Sequence, residues 1–97
     1  MNAIERAMQI FTNRDWTYMM VDYGYERKYH QAKMEMREFV MCCNEVEDKE
    51  KKEALRELWT LKYDYINTLI GGYNNKGITD SEYEKSEKNL LSKLGLA

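Results

Sequence analysis

A chain of 97 residues has room for one domain with one modest hydrophobic core. Its composition is 43% hydrophobic and 33% charged with no proline, which is too apolar for a disordered tail and leaves few residues that break a helix. The 15 basic and 17 acidic side chains give a formal charge of −2. The chain therefore lacks both the basic excess typical of nucleic-acid binding and the dense acidity of a nucleic-acid mimic.

No apolar segment approaches the roughly 18–20 residues needed to span a bilayer. Glu5 and Arg6 interrupt the N-terminal segment where a signal peptide requires an apolar core. The two cysteines, Cys42 and Cys43, are adjacent, and neighbouring residues of a helix point about 100° apart, so neither a zinc chelate nor an intrachain disulfide is expected. We predict a cytoplasmic protein with free, buried thiols and no membrane partner.

The N-terminal half predicts two helices. Asn2 followed by Glu5 matches an N-cap with a carboxylate three residues on, and a helix is predicted over residues 2–12. A second helix is predicted over residues 15–44, with Gly24 as the place where a break would fall. Residues 16–25, WTYMMVDYGY, are rich in aromatic and β-branched residues that also suit a strand, so the structure of residues 14–24 stays open.

The second helix carries a heptad of apolar residues on one side, which predicts an antiparallel helix neighbour. Met34 and Met41 lie about 140–160° away from this seam, so the helix has a second apolar side. Either the N-terminal helix or residues 16–25 cover that side, or it binds a partner. The seam consists of Tyr25, Tyr29, Ala32, Met36, Phe39, Cys43 and Val46.

A third helix is predicted over residues 47–70, with acidic residues in its first turn and Gly71 and Gly72 at its end. Its apolar residues cover about 200° of the helix, roughly twice the arc that a surface helix buries. This helix is therefore expected to be central or to contact a partner. The two stripes are Ala54, Leu58, Leu61, Tyr65 and Leu69, and Leu55, Trp59, Ile66 and Ile70, with Tyr63 at the margin.

The last helix is predicted over residues 80–94. Thr79 and Glu82 have the spacing of a capping box, and Gly95 follows the last apolar residue as a helix stop. Together the four segments predict an all-α chain of three to four helices, arranged as an antiparallel bundle in a single domain over residues 1–97.

The C-terminal quarter resembles the SHOCT motif, a short helical module at the ends of many bacterial proteins. The motif has a leucine-rich helix, a small turn, Gly-Ile-Thr, two polar residues, Glu, an aromatic residue and a Leu-Leu pair. This chain departs from it at Gly71 and Gly72, which interrupt the preceding helix. The resemblance implies association or anchoring and transfers no catalytic residue. The matching residues are Gly77, Ile78, Thr79, Glu82, Tyr83, Leu90 and Leu91.

The sequence contains little that supports catalysis or a cofactor. His30 is the only histidine and precedes Cys42 by twelve residues on one helix, about 18 Å, so the two cannot form a nucleophile and base within one chain. A di-iron bundle needs Glu-x-x-His pairs from two helices, and Glu26 is separated from His30 by the wrong spacing. We therefore predict no enzyme, no catalytic residue, no metal and no cofactor.

The remaining class is recognition. Eight tyrosines and two tryptophans are many for so small a chain, and these residues are enriched at binding hot spots. We predict a small protein-interaction module, either with a foreign protein partner or as a homo-oligomer. Its small size and composition resemble phage and mobile-element accessory proteins such as inhibitors of host defence. A helical oligomer with an aromatic-lined pocket for a nucleotide is the alternative. The candidate binding residues are Trp16, Tyr18, Tyr23, Met34, Met41, Trp59, Tyr63 and Tyr73.

Overall fold

The computed structural model describes residues 1–16, 25–71 and 76–96, with the side chains of residues 25–29 outside the description. Within these ranges the regular secondary structure is entirely helical, so the predicted all-α class and the number of helices are confirmed. The four helices are α1 (Ala3–Asn13), α2 (Tyr25–Glu45), α3 (Lys49–Ile70) and α4 (Asp80–Lys93). None of the helices in the described ranges combines the length and hydropathy required to cross a membrane.

The second helix was predicted over residues 15–44 with Gly24 as the place of a break, and the structure describes α2 from Tyr25 onward. Residues 14–16 are not helical, and Arg14 caps the end of α1 with an extended backbone. Tyr18 and Tyr23 lie outside the described residues, as does most of the segment whose structure the sequence left open. The other predicted ends agree with the structure to within two residues.

Contacts divide the chain into two units, Met1–Glu47 and Asp48–Ala97. The first unit is a pair of antiparallel helices, because Arg6 near the start of α1 forms an ion pair with Glu45 at the end of α2, whereas Arg14 donates to the carbonyl of Ala32 at 3.3 Å. Asn2 caps α1 by accepting from the backbone N–H of Glu5 at 2.8 Å. The single domain predicted for residues 1–97 stays a prediction.

The second unit pairs α3 with α4. Asp48 caps α3 by accepting from the backbone N–H of Lys51 at 3.1 Å. Gly71 ends the helix with a φ of 65°, a left-handed conformation that glycine adopts without the steric cost of a Cβ. The predicted capping box at α4 is present: Thr79 Oγ1 accepts from the N–H of Glu82 at 3.1 Å, and the Glu82 carboxylate accepts from the N–H of Thr79 at 3.4 Å.

The entry to α4 is attached to the C-terminal half of α3 by three polar contacts. Thr68 Oγ1 accepts from the backbone N–H of Ile78 at 3.1 Å. The ammonium of Lys76 lies 3.5 Å from the carboxylate of Asp64. The hydroxyl of Tyr65 donates to Asp80 at 2.6 Å. These contacts place the start of α4 beside the end of α3, so the two helices run antiparallel.

Candidate functional site

The buried side of α2 follows most of the predicted heptad. Phe39 is 2% exposed, and Ala32 and Cys43 are buried within about 40° of it around the helix. Val46, just after the end of α2, is buried as well. The side chains of Tyr25 and Tyr29 lie outside the described residues. Cys42 is buried as well, so the predicted burial of both cysteines is confirmed. A side chain of α2 in this arc serves the core and is not available to a partner.

The opposite side of α2 is exposed and carries methionine. Met34 is 62% exposed and Met41 is 65% exposed, and both lie about 140–160° from Phe39 around the helix. They are seven residues apart, so about 10 Å of helix separates them on the same side. We call this pair the methionine stripe. Met41 also borders a groove with Gln9 and Ile10 of α1. Most of residues 16–25, the other segment that could cover this side, lie outside the described residues, so the choice between the two possibilities stays a prediction.

Met36 and Val40 are also exposed, but they lie about 100–160° from the methionine stripe around α2 and form a separate apolar area. Met36 was predicted to belong to the buried heptad, but it is 44% exposed, and Val40 is nearly as exposed. The reason lies in the position of α1. Ile10 and Gln9 of α1 border a groove with Cys42, which stands about 60° from Phe39 on one side, whereas Met36 stands about 60° away on the other side. Because α1 covers only the Cys42 side, Met36 stays exposed.

The methionine stripe has a basic flank and an acidic flank. Arg37 lies about 40° from Met41 on one side, where Lys33 also lies. Glu38 lies about 60° from Met41 on the other side, close to α1. All three charged residues are exposed, so their charges border the apolar stripe. Glu45, also on the acidic flank, is paired with Arg6.

The two tryptophans that were predicted to bind a partner are buried: Trp16 is 8% and Trp59 is 9% exposed. Neither side chain belongs to the exposed surface described above. Tyr63 is exposed near the middle of α3, away from the methionine stripe in sequence. Tyr73, like Tyr18 and Tyr23, lies outside the described residues. Of the eight candidates, the structure therefore places Met34 and Met41 on one continuous exposed face.

Local contacts explain the burial of Trp16. Its indole N–H donates to the carbonyl of Phe11 at 2.9 Å. Phe11 is in the last turn of α1, where carbonyls have no partner within the helix, so the indole satisfies one of them. The rings of Trp16 and Phe11 meet edge to face at 5.3 Å, and the Arg14 guanidinium lies 4.6 Å from the Trp16 ring centre. Trp16 thus completes the end of α1.

The second unit contains a groove of about 470 Å³ between α3 and α4. Its volume lies within the range of small-molecule sites. Leu61 and Leu90 supply its apolar surface, and polar or charged side chains supply the rest. No aromatic side chain lines the groove within the described ranges, so it differs from the aromatic-lined nucleotide pocket that the sequence suggested as an alternative. That alternative stays a prediction.

A pair of tyrosines joins α3 to α4. The rings of Tyr65 and Tyr83 stack with centres 4.2 Å apart and planes 11° from parallel. The hydroxyl of Tyr83 donates to the carboxylate of Glu87. Burial, together with this hydrogen bond, raises the pKa of Tyr83 above its usual value. The hydrogen bond to Asp80 raises the pKa of Tyr65 in the same direction. Both phenols are therefore held neutral.

We expect the second unit to lose stability at alkaline pH because of Tyr83. An unfolded tyrosine ionises near pH 10, whereas the folded pKa of Tyr83 is raised, so its stabilising effect is complete below about pH 10 and is lost as the pH rises toward the folded pKa. Thermal melting followed by circular dichroism from about pH 8 to pH 11 measures the loss. Tyr83→Phe should make the melting temperature fall less steeply with pH than in the wild type. Equal slopes for the two proteins would contradict the assignment, and Tyr63→Phe, at an exposed position, is the matched control.

Comparison with family models, with curated proteins and with solved structures finds no match to this chain. The resemblance of residues 77–91 to the SHOCT motif therefore stays a prediction. Among the described residues, no group of three or more histidine, cysteine, aspartate or glutamate side chains is placed to hold a metal ion. The site is defined by its own geometry.

Proposed function

We propose that this chain is a small, non-catalytic protein-interaction module that binds a protein partner through the methionine stripe of α2. One observation carries the proposal: Met34 and Met41 are both more than half exposed on the same side of one helix. Exposed apolar side chains that line up are typical of interaction sites, whereas singly scattered ones are ordinary.

The charges beside the stripe favour a protein over a nucleic acid or an anionic membrane. Those two partners select surfaces with one sign of charge. Here Arg37 lies on one flank and Glu38 on the other, so a phosphate-rich partner attracted by the first would be repelled by the second. A protein surface can present both an acid and a base to match them. Methionine also suits this role, because its flexible thioether adapts to the shape of a partner.

The distribution of reactive groups supports a role without catalysis. His30 is exposed on α2, and Cys42 and Cys43 are buried. A buried thiol in apolar surroundings is inert as a nucleophile. A module of this kind acts by occupying part of its partner's surface, which is how an inhibitor or an adaptor works. The size and composition of the chain predicted the same role of inhibitor or adaptor.

Photo-crosslinking from α2 tests the proposal. A photoreactive amino acid at position 41 is expected to give a covalent adduct with a protein in the cells that express the chain. The same amino acid at position 96 is the matched control, because Leu96 is also exposed but belongs to the second unit. Met34→Ser, at an exposed position that tolerates a polar residue, should strongly reduce the adduct from position 41.

The proposal fails if position 41 gives no more protein adduct than position 96. It also fails if Met34→Ser leaves the adduct unchanged, because the stripe would then not contribute to binding. Circular dichroism of each variant verifies that the helices are intact.

A further inference from the structure

We propose that the partner of the methionine stripe is a second copy of this chain, joined through α2 in a parallel, two-fold arrangement. The inference rests on the proposed function and specifies its partner. It follows from the way in which charge is divided between the two flanks of the stripe. The exposed segment of α2 from residue 30 to residue 45 is about 22 Å long, enough for two methionine layers.

Orientation decides which flanks meet when two copies of one helix pack through the same stripe. In a parallel pair, the two-fold axis runs along the helices, and each flank of one copy meets the opposite flank of the other copy. In an antiparallel pair, each flank meets its own counterpart. The basic flank of α2 contains Lys33 and Arg37, and the acidic flank contains Glu38. A parallel pair therefore brings opposite charges together, whereas an antiparallel pair brings like charges together.

The parallel pair also matches the apolar residues. Residues on a two-fold axis meet their own counterparts, so Met34 packs against Met34 of the second copy and Met41 packs against Met41. The seven-residue spacing places both layers at the same position of successive heptads. Arg37 and Glu38 lie between the two layers in sequence, where each can contact the opposite charge of the other copy. The surface is thus complementary to itself.

The size of this surface predicts a weak dimer. One face of a single helix about 22 Å long buries less area than a standard protein–protein interface, in which each partner buries about 800 Å². Association should therefore depend on concentration and should be reversible. Ion pairs at the edge of such an interface are also screened by salt, so the dimer should weaken as ionic strength rises.

Sedimentation equilibrium from micromolar to millimolar concentration tests the inference. The average mass of the wild type should rise from 11.7 kDa toward twice that value. The variant with Met34→Ser and Met41→Ser should remain at the monomer mass. Arg37→Glu alone and Glu38→Arg alone should each weaken association about tenfold, because each replaces attraction by repulsion at two symmetric contacts. The double variant R37E/E38R should restore association to near the wild-type level, because it exchanges the two signs and keeps the pairing.

A wild type that stays monomeric up to millimolar concentration would overturn the dimer. If the adduct from position 41 then contains a different protein, the proposed function stands and only the choice of partner is wrong. If position 41 gives no adduct either, both fail. A wild type that associates while the single reversals bind as tightly would overturn the parallel orientation, since like flanks meet in an antiparallel pair. Failure of the double variant to recover, with its helices intact, would do the same.

Discussion

Replacing Phe39 with alanine is expected to lower the free energy of unfolding by about 3–5 kcal/mol. Phe39 is 2% exposed at the centre of the buried arc of α2, so truncation removes a buried ring and leaves a cavity. A loss of this size is a large share of the roughly 5–15 kcal/mol that stabilises a small domain. Urea denaturation followed by circular dichroism measures the change as a lower midpoint with an unchanged slope.

Met41→Ala on the same helix is the matched control for Phe39→Ala. Its side chain is 65% exposed, so its removal should change the free energy of unfolding by no more than about 0.5 kcal/mol. The same substitution should weaken binding at the methionine stripe, which Phe39 does not touch. Stability and binding are thus assigned to opposite sides of one helix. Equal destabilisation by the two substitutions would show that the stripe is buried in solution and would contradict the proposed function.

Replacing Trp16 with alanine is expected to lower the free energy of unfolding by about 3–5 kcal/mol as well. The variant loses the edge-to-face contact with Phe11, the contact with the Arg14 guanidinium and the hydrogen bond to the Phe11 carbonyl. Trp16→Phe separates these effects. It keeps an aromatic ring but removes the N–H donor and part of the buried indole, so it should cost about 1–3 kcal/mol, less than Trp16→Ala.

Circular dichroism follows all helices and measures the loss in both variants. The fluorescence of Trp59, which lies in the second unit, reports on that unit and serves as the control. A smaller loss for Trp16→Ala than for Trp16→Phe would contradict the structural role of the ring. Loss of the position 41 adduct on Trp16→Phe, with unchanged stability, would instead give Trp16 a direct part in binding.

Local features of the sequence predicted the helices and their ends. Helix caps act on backbone groups within three or four residues, so their effect can be predicted without knowledge of the fold. The caps of this chain are Asn2, Gly71 and the pair Thr79 and Glu82. The buried residues of α3 follow equally from spacing, since Leu55 and Leu58 are fully buried in the apolar arc that the sequence predicted. The exception is the start of α2, where aromatic and β-branched residues carry no clear period.

Specific contacts of single side chains could not be predicted in the same way. Trp16 reads as a binding aromatic because its type is enriched at interfaces, yet its indole N–H completes the end of α1. The stacking of Tyr65 on Tyr83 joins residues of two helices, and neither spacing nor composition predicts such a pair. Met36 fits the heptad, but the heptad does not specify how far the neighbouring helix extends around α2.

For this protein, the sequence alone determined the helical class, the helix caps and the presence of a second apolar side on α2, because each depends on the periodicity or the local hydrogen bonding of one helix. Only the tertiary structure decided which apolar side chains remain exposed. A periodic pattern defines an apolar arc, but the part of it that is buried depends on where the neighbouring helix lies. Here α1 lies on the Cys42 side, and Met34, Met36 and Met41 are left at the surface.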